Sequence, residues 1–506
     1  MLSKRSIMAL CTFILTVGSI VGCSGGSIPK QGENDGKTAE SNQAPFEISM
    51  AIEQVGDIPS KGNEIEKSIE AYTNTKLNIQ WIPLSTFNDK INVMIASNEL
   101  PKLLRVKYNP TVKTSIQSGL FWEIGPLLKE YKNLSAQNPM HFSNLAVDGK
   151  LYGVPAFRDM GRATLFYRKD YMDALGLKLP VNLDDWYTVL KALAQNDPDK
   201  NGKNDTIGMV LWKTYNDGEN SVLNRLSVNQ GAPNRWAVEN GKFIPAYSTK
   251  EFTDVLKLFR RLYTEKLLNQ DFAVLEYEDA KKLFFQGRSA FNINAGANGK
   301  SFQQLLSNTD PKAVFDMAAL TGPQGIKLPG ETGSDGFFLI PKSAVKTEAE
   351  LKQLLAFLDK LMDPEMSKLI LRGVEGKHFV KTADNKTEWK DYSLFIKEVK
   401  PYKDNLTAFE GYNVPDLLDT PIGEKSVKLE RENAKYMVHN PALTLNSTTY
   451  VERGKELEQM IQDAQTKFIM GKIDEAGWQA EIEKWRKSGG DKMAQEYEQD
   501  YARMKK

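Results

Sequence analysis

Apolar and polar residues alternate in two stretches early in the chain: Ile48, Met50 and Ile52 in FEISMAI, and Leu77, Ile79 and Trp81 in LNIQWIP. A period of two buries one face of an extended chain, so both stretches predict strands. Between them NEIEKSIEAYTNTK carries apolar residues at helical spacing. TFNDKINVMIASNE does so again before the apolar run LLRV. Strand, helix, strand, helix, strand predicts a parallel sheet with crossover helices. RKDYMDALG, LDDWYTVLKALAQ, EFTDVLKLFRRLYTE and EAELKQLLAFLDKLM predict further helices. Near the C-terminus Leu457, Met460, Ile461, Ala464 and Phe468 share one helix face. Each apolar stripe is read as core packing.

The first residues break this pattern. Lys4 and Arg5 precede the apolar run IMALCTFILTVGSIVG, which ends in small residues. A basic start and a short apolar segment predict a secretory signal over residues 1–22. A spanning helix would want about 17–25 apolar residues and charged flanks. Ile20-Val21-Gly22-Cys23 resembles the bacterial lipobox, in which the cysteine is acylated and leads the mature chain. Cys23 is therefore expected to carry lipid, including palmitate, and more than one acyl chain holds a protein durably at a membrane. Residues 23–45 are polar, aperiodic and rich in Gly, Ser and Asn, and predict a disordered tether of roughly 25 Å typical span.

Composition narrows the chemistry. In 506 residues, 66 Lys+Arg face 65 Asp+Glu. That balance argues against nucleic acid as a partner, which wants clustered positive charge. Two cysteines and three histidines exclude a Cys/His zinc site and a disulfide scaffold. No GxSxG elbow occurs, and the GKS of AGANGKS lacks the first glycine of a phosphate loop.

DGKLYGVPAFRDMGRATLFYRKDYMDALGLKLPVNLDDWYTVLKAL resembles the solute-binding lipoproteins of bacterial ABC importers. FIMGKIDEAGWQAEIEKWRKSGGDKMAQEYEQDYARM is similar to the tail of their large, roughly 500-residue subgroup, which includes binders of alginate and glycosaminoglycan oligosaccharides. The resemblance spans about residue 46 to the end. It implies an α/β, type II periplasmic-binding-protein-like fold: two lobes joined by crossovers and closing on a ligand like a hinged clam. The expected first lobe is 46–157 plus 288–335, and the second 158–287 plus 336–506. GVPAF is expected to make the first crossing. GRSAFNINAG would make the second, returning to the first lobe, and GSDGFFLIP the third.

DPDKNGKNDTIG, residues 197–208, places Asp197, Asp199, Asn201, Lys203 and Asp205 at alternate positions, with Gly202 at the turn. Hard oxygens at positions 1, 3, 5, 7 and 9 of a loop curling at a glycine are the calcium pattern, Lys203 offering its carbonyl. Gly208 stands where a bidentate Glu is usual. In the resembled oligosaccharide binders a similar loop holds structural calcium, often with an acidic residue where this chain has Thr206. The alternative is an Asx-rich turn without metal.

Sugar recognition pairs aromatic faces with placed polar groups. The expected ligand contacts are Arg158, Trp212, Tyr215, Trp236, Asn294, Asp335, Phe337 and Tyr412, taken from loops, strand ends and inferred crossovers. Trp81, Trp186, Trp478 and Trp485 are expected in cores. The resemblance implies a monomeric, noncatalytic receptor on the outer face of the cell membrane. It would capture an oligosaccharide and pass it to the importer's permease subunits. A peptide is the alternative ligand, and an extracellular carbohydrate-active enzyme with paired carboxylates the alternative class.

Overall fold

The computed structural model describes residues 44–54 and 56–505; the signal, Cys23 and most of the tether lie outside them. In chain order the main elements are β1 (Phe46–Gln54), α1 (Glu64–Thr73), β2 (Thr75–Pro83), α2 (Phe87–Ser97), β3 (Leu103–Val106), α3 (Pro110–Gln117), β4 (Gly153–Phe157), β5 (Ala163–Arg168), α4 (Leu183–Gln195) and β6 (Ile207–Met209). Then follow α5 (Lys250–Thr264), β7 (Ser289–Ala295), α6 (Gly299–Thr309), β8 (Phe315–Ala319), β9 (Ser334–Leu339), α7 (Glu348–Leu361), α8 (Pro421–Asn433), α9 (Thr448–Ile469), α10 (Glu475–Trp485) and α11 (Asp491–Met504).

The alternation near the start forms as the pattern requires. β1 pairs in parallel with β2 and with β3. α1 starts at Asn63, whose side chain accepts the backbone N–H groups of Ile65 and Glu66, and stops at Asn74 in the left-handed region. The pleat divides the apolar residues between two layers. Ile48, Met50 and Ile52 pack into one cluster with Phe338 and α7, while Ala51, Leu104, Val106 and Phe337 pack into another with α2 and α3.

Two sheets organise the chain, in the orders β2-β1-β3-β9-β4 and β8-β5-β7-β6. β9 runs antiparallel to both neighbours, which places a late strand in the middle of the first sheet. In the second sheet β5 is antiparallel to β7 and β8, and β6 is parallel to β7. The core of this lobe also takes residues from α9, α10 and α11.

This topology corrects the expected lobe boundaries. β7, the GRSAFNINAG strand, stays in the second sheet, paired on both sides by β5 and β6, and β8 follows it there. All seven residues of β7 are buried. The return to the first sheet comes only with β9. Residues 340–414 then stay with the first lobe, as Ile340, Leu354, Phe395 and Val414 share the cluster of Ile48. The chain thus changes lobes at 158–162, at 320–333 and at 415–420.

The crossing segments are held side by side. Glu331 N–H donates to the Met160 carbonyl at 3.1 Å, and Arg158 N–H to the Gly333 carbonyl at 3.1 Å. Gly333 has φ +74°, and a Cβ there would meet His141 Nδ1 at 2.5 Å. Only glycine fits both demands.

Phe337, on β9, is fully buried against α2 and α3. Phe337→Ala is expected to cost about 3–5 kcal/mol of unfolding free energy, read as a fall in the urea midpoint of the purified protein. A loss below about 1 kcal/mol would contradict this placement in a close-packed core.

Candidate functional site

Strand ends and crossings bring charged side chains together between the lobes. Arg105, 1% exposed on β3, lies 3.6 Å from Glu53 and 3.5 Å from Asp335. Asn405 also accepts from its guanidinium. Lys107 closes on Glu53 at 3.0 Å. Arg158, just past β4, reaches Asp335 at 3.4 Å and Glu331 at 3.7 Å. Arg162 and Arg225 reach Glu331 at 3.3 Å each, and Arg162 lies 3.8 Å from Glu430 on α8. Charges alternate from the first sheet, through two crossings, to the second lobe. Burial works against the Arg105 charge, while Glu53 and Asp335 favour it.

Above this floor opens a cleft of about 920 Å³, lined from both lobes, within the usual range for small-molecule sites of about 300–1,000 Å³. Arg158, Asp159, Arg162 and Asp335 belong to its floor. One wall is an aromatic platform on the first lobe. Trp389 and Phe395 have ring centroids 4.3 Å apart, and Tyr392 stacks on Phe395 at 5.9 Å and 14°. Tyr392 remains 49% exposed. Opposite it, Lys300 sits 5.6 Å over the Tyr392 ring and 2.5 Å from Asp419. Lys386 meets Glu424 at 3.6 Å, and Lys400 pairs with Asp404. Cations and carboxylates alternate around the cleft, giving polar groups of both signs beside flat rings.

The expected contacts divide sharply. Arg158 and Asp335 face each other in the floor. Phe337 and Tyr215 are corrections: Phe337 is in the first-lobe core, and Tyr215, 1% exposed, packs edge-on to Phe272 and hydrogen-bonds Thr466. Trp212 is nearly buried against Tyr277, and Tyr412 packs against the first-lobe core. Asn294 is buried, donating to the Tyr277 hydroxyl at 2.9 Å and to Asn292 at 3.0 Å. Trp236 packs against Trp485 and Tyr497 and borders a separate cavity. Strand ends point these side chains inward as often as outward, a choice the sequence alone leaves open. Sequence reasoning missed Trp389 and Tyr392. Their signal was two aromatics three residues apart in the charged stretch TEWKDYSLF after a polar turn.

The 197–205 loop curls as its residues suggest. Asp197 accepts the backbone N–H groups of Asn201 and Gly202 at 3.0 and 2.9 Å, and the Asn201 side chain donates to Asp199 and Asp205 at 2.8 and 3.2 Å. Gly202 has φ +81°. Burial and the neighbouring Asp197 carboxyl push Asp199 above the ordinary carboxylate range. The Asn201 side-chain amide therefore bridges Asp199 and Asp205, while Asp197 holds the backbone N–H of the same residue. No group of three or more His, Cys, Asp or Glu side chains is gathered for a metal among the described residues.

A two-lobed α/β architecture with the cleft at its crossings defines a solute-binding protein of the type II periplasmic kind. The chain matches the family "bacterial extracellular solute-binding protein" over residues 56–366 and belongs to it. It is 37% identical over 460 residues to lipoprotein LipO of Bacillus subtilis, covering 88% of this chain and 89% of that one. It is 33% identical to the polygalacturonan/rhamnogalacturonan-binding protein YtcQ of the same organism, covering 99% and 100%. The fold matches the human-milk-oligosaccharide (HMO) binding, ABC-transporter-associated solute-binding protein of Bifidobacterium longum infantis, with TM-score 0.70, 16% identity and 91% and 99% coverage. It also matches an EF-hand mutant of the substrate-binding protein FusA of Streptococcus pneumoniae in complex with fructo-nystose, with TM-score 0.64, 18% identity and 91% and 99% coverage. The family is extracellular and consists of binding proteins, not enzymes. No helix among the described residues is long and apolar enough to cross a membrane.

Burial raises the Glu430 carboxyl to about 7, against the pull of Arg162 and the Ala297 N–H. A carboxyl raised on folding costs stability as pH climbs from about 4.5 towards 7, and the cost levels off above. Glu430→Gln is therefore expected to raise the melting temperature at pH 8, recovering up to about 3 kcal/mol, and to leave it unchanged near pH 4. Equal shifts at both pH values would show that burial of the charge is not what costs stability.

Proposed function

We propose that this chain is the lipid-anchored solute receptor of an ABC importer, capturing a carbohydrate oligomer between its lobes and handing it uncleaved to the permease. The carrying observation is the cleft of about 920 Å³, where both lobes contribute charged groups and the first adds an aromatic platform. Trp389 and Tyr392 would stack on apolar sugar faces, while Arg158, Asp335, Lys300 and Asp419 would meet hydroxyls and any carboxylate. Similarity along the whole chain to a polygalacturonan/rhamnogalacturonan binder supports an oligosaccharide over a peptide. Both signs of charge around the cleft suit neutral and acidic sugars alike.

Affinity in such a device comes from contacts made only when both lobes touch the ligand, because a ligand shifts an equilibrium only by its differential affinity. Cys23 would hold the receptor at the outer face of the membrane, with residues 24–45 giving it reach. Calcium is proposed for Asp197, Asp199, Asn201, Lys203 and Asp205, with Gly202 making the turn. Its role would be to fix the loop after α4, with no part in chemistry.

Two measurements test this reading. Calorimetry of the soluble chain from residue 46 with galacturonan- and neutral-glycan-derived oligosaccharides is expected to find a binder, with recovered sugar of unchanged mass. Tyr392→Ala should weaken it about tenfold. A chain that binds only peptides, or shortens its sugar, is something else. For the loop, a chelator should lower the melting temperature and calcium restore it, by mass action on the folded state. Asp199→Ala should abolish that response. An unchanged melting curve with and without calcium would remove the metal from the account.

A further inference from the structure

A second cavity of about 410 Å³ lies apart from the cleft and has no lining residue in common with it. The cleft borders the 371–410 segment of the first lobe. This cavity opens on the opposite layer of the same sheet, at Tyr108 and Lys113 where β3 runs into α3. Its other walls come from residues 216–252 and from the C-terminal helices. It is built from both lobes, and it too falls within the usual size of small-molecule sites.

Its polar groups are placed with care and incompletely used. Arg235 and Glu458 pair at 2.5 Å. Glu219 accepts from Asn440 at 3.0 Å and has no cation within ion-pair distance among the described residues. Lys113 spends its ammonium on the carbonyls of Leu445 and Thr444, at 2.8 and 3.3 Å. The Tyr108 hydroxyl is buried and finds no hydrogen-bond partner among the described residues. A buried polar group left unpaired costs about 1–3 kcal/mol. Around these groups stand ring surfaces, Trp236 among them. Two cations balance two carboxylates, so the wall selects for no net charge. It asks for a ligand that can donate to Glu219, accept from Arg235, and lay an apolar face on a ring.

We infer that this cavity is a second binding site, for a small neutral polyhydroxylated ring compound such as a monosaccharide or cyclitol, separate from the oligomer cleft. A charged ligand would upset the balance of the wall.

The test uses glucose, galactose, mannose and myo-inositol as probes, followed by saturation-transfer NMR at millimolar concentration. Two variants are compared: Glu219→Gln, which keeps the shape, and Tyr392→Ala in the cleft. At least one probe is expected to bind the wild type, to weaken about fivefold or more in Glu219→Gln, and to bind Tyr392→Ala unchanged. Melting curves confirm that each variant folds. Silence of all four probes overturns the inference. So does binding that Tyr392→Ala abolishes, or binding that Glu219→Gln leaves unchanged.

Discussion

Glu331 sits on the segment that carries the chain back to the first lobe, 4% exposed, with three arginines around its two oxygens. That carboxylate is the constraint the rest depends on. A buried charge survives only when paired, and breaking such a pair leaves its partners uncompensated at a cost of several kcal/mol. Arg158 and Arg162 flank the first crossing, Arg225 belongs to the second lobe, and Glu331 itself lies on another crossing. Its pairing therefore specifies how two chain segments lie against each other where the lobes meet. Asp335 and Arg105 extend the alternation into the first sheet, and Glu430 extends it onto α8.

Such a network suits a molecule that must hold two lobes in register while leaving the space above them open. Apolar packing does the bulk work inside each lobe, where the pleat of β1, β3 and β9 feeds two separate layers. Packing alone would not align one lobe with the other, because it is non-directional. Hydrogen-bonded charges are directional. The cleft inherits both properties: a floor of fixed charges, and walls carried by rigid first- and second-lobe elements.

The aromatic platform illustrates how a binding surface is added to such a frame. Trp389 ends a short hairpin and Tyr392 begins the helix after it, so a local excursion from the first lobe places two rings over the cleft. Arg372, fully buried, anchors Glu410 nearby with two hydrogen bonds of 2.8 and 2.5 Å. Burial would raise the Glu410 carboxyl, and those bonds more than offset it. The rim is thus stiffened from beneath by a charge pair, while Tyr392, stacked on Phe395, keeps about half of its surface open to solvent.

The opening β-α-β-α-β run, the helical stripes, the curl of the 197–205 loop and the type of fold were legible in the amino-acid order, because each rests on spacing, capping or turn chemistry within a few residues. Arg158 and Asp335, expected near a crossing, do line the cleft floor; their contact with a ligand stays a proposal. The rest needed tertiary structure. β7 looks like any buried strand, and only its partners β5 and β6 decide which sheet it joins. Tyr215 was read as a contact because it follows a strand end and Phe337 because it stands at an inferred crossing, yet which side chains point to solvent is set by what packs against them. Trp389 and Tyr392 come some 230 residues after Arg158 in the chain, and their meeting depends on a fold that threads three crossings. The sequence determined the pieces, their period and the family; long-range pairing of strands and buried charge decided which pieces share a lobe and which side chains face the cleft.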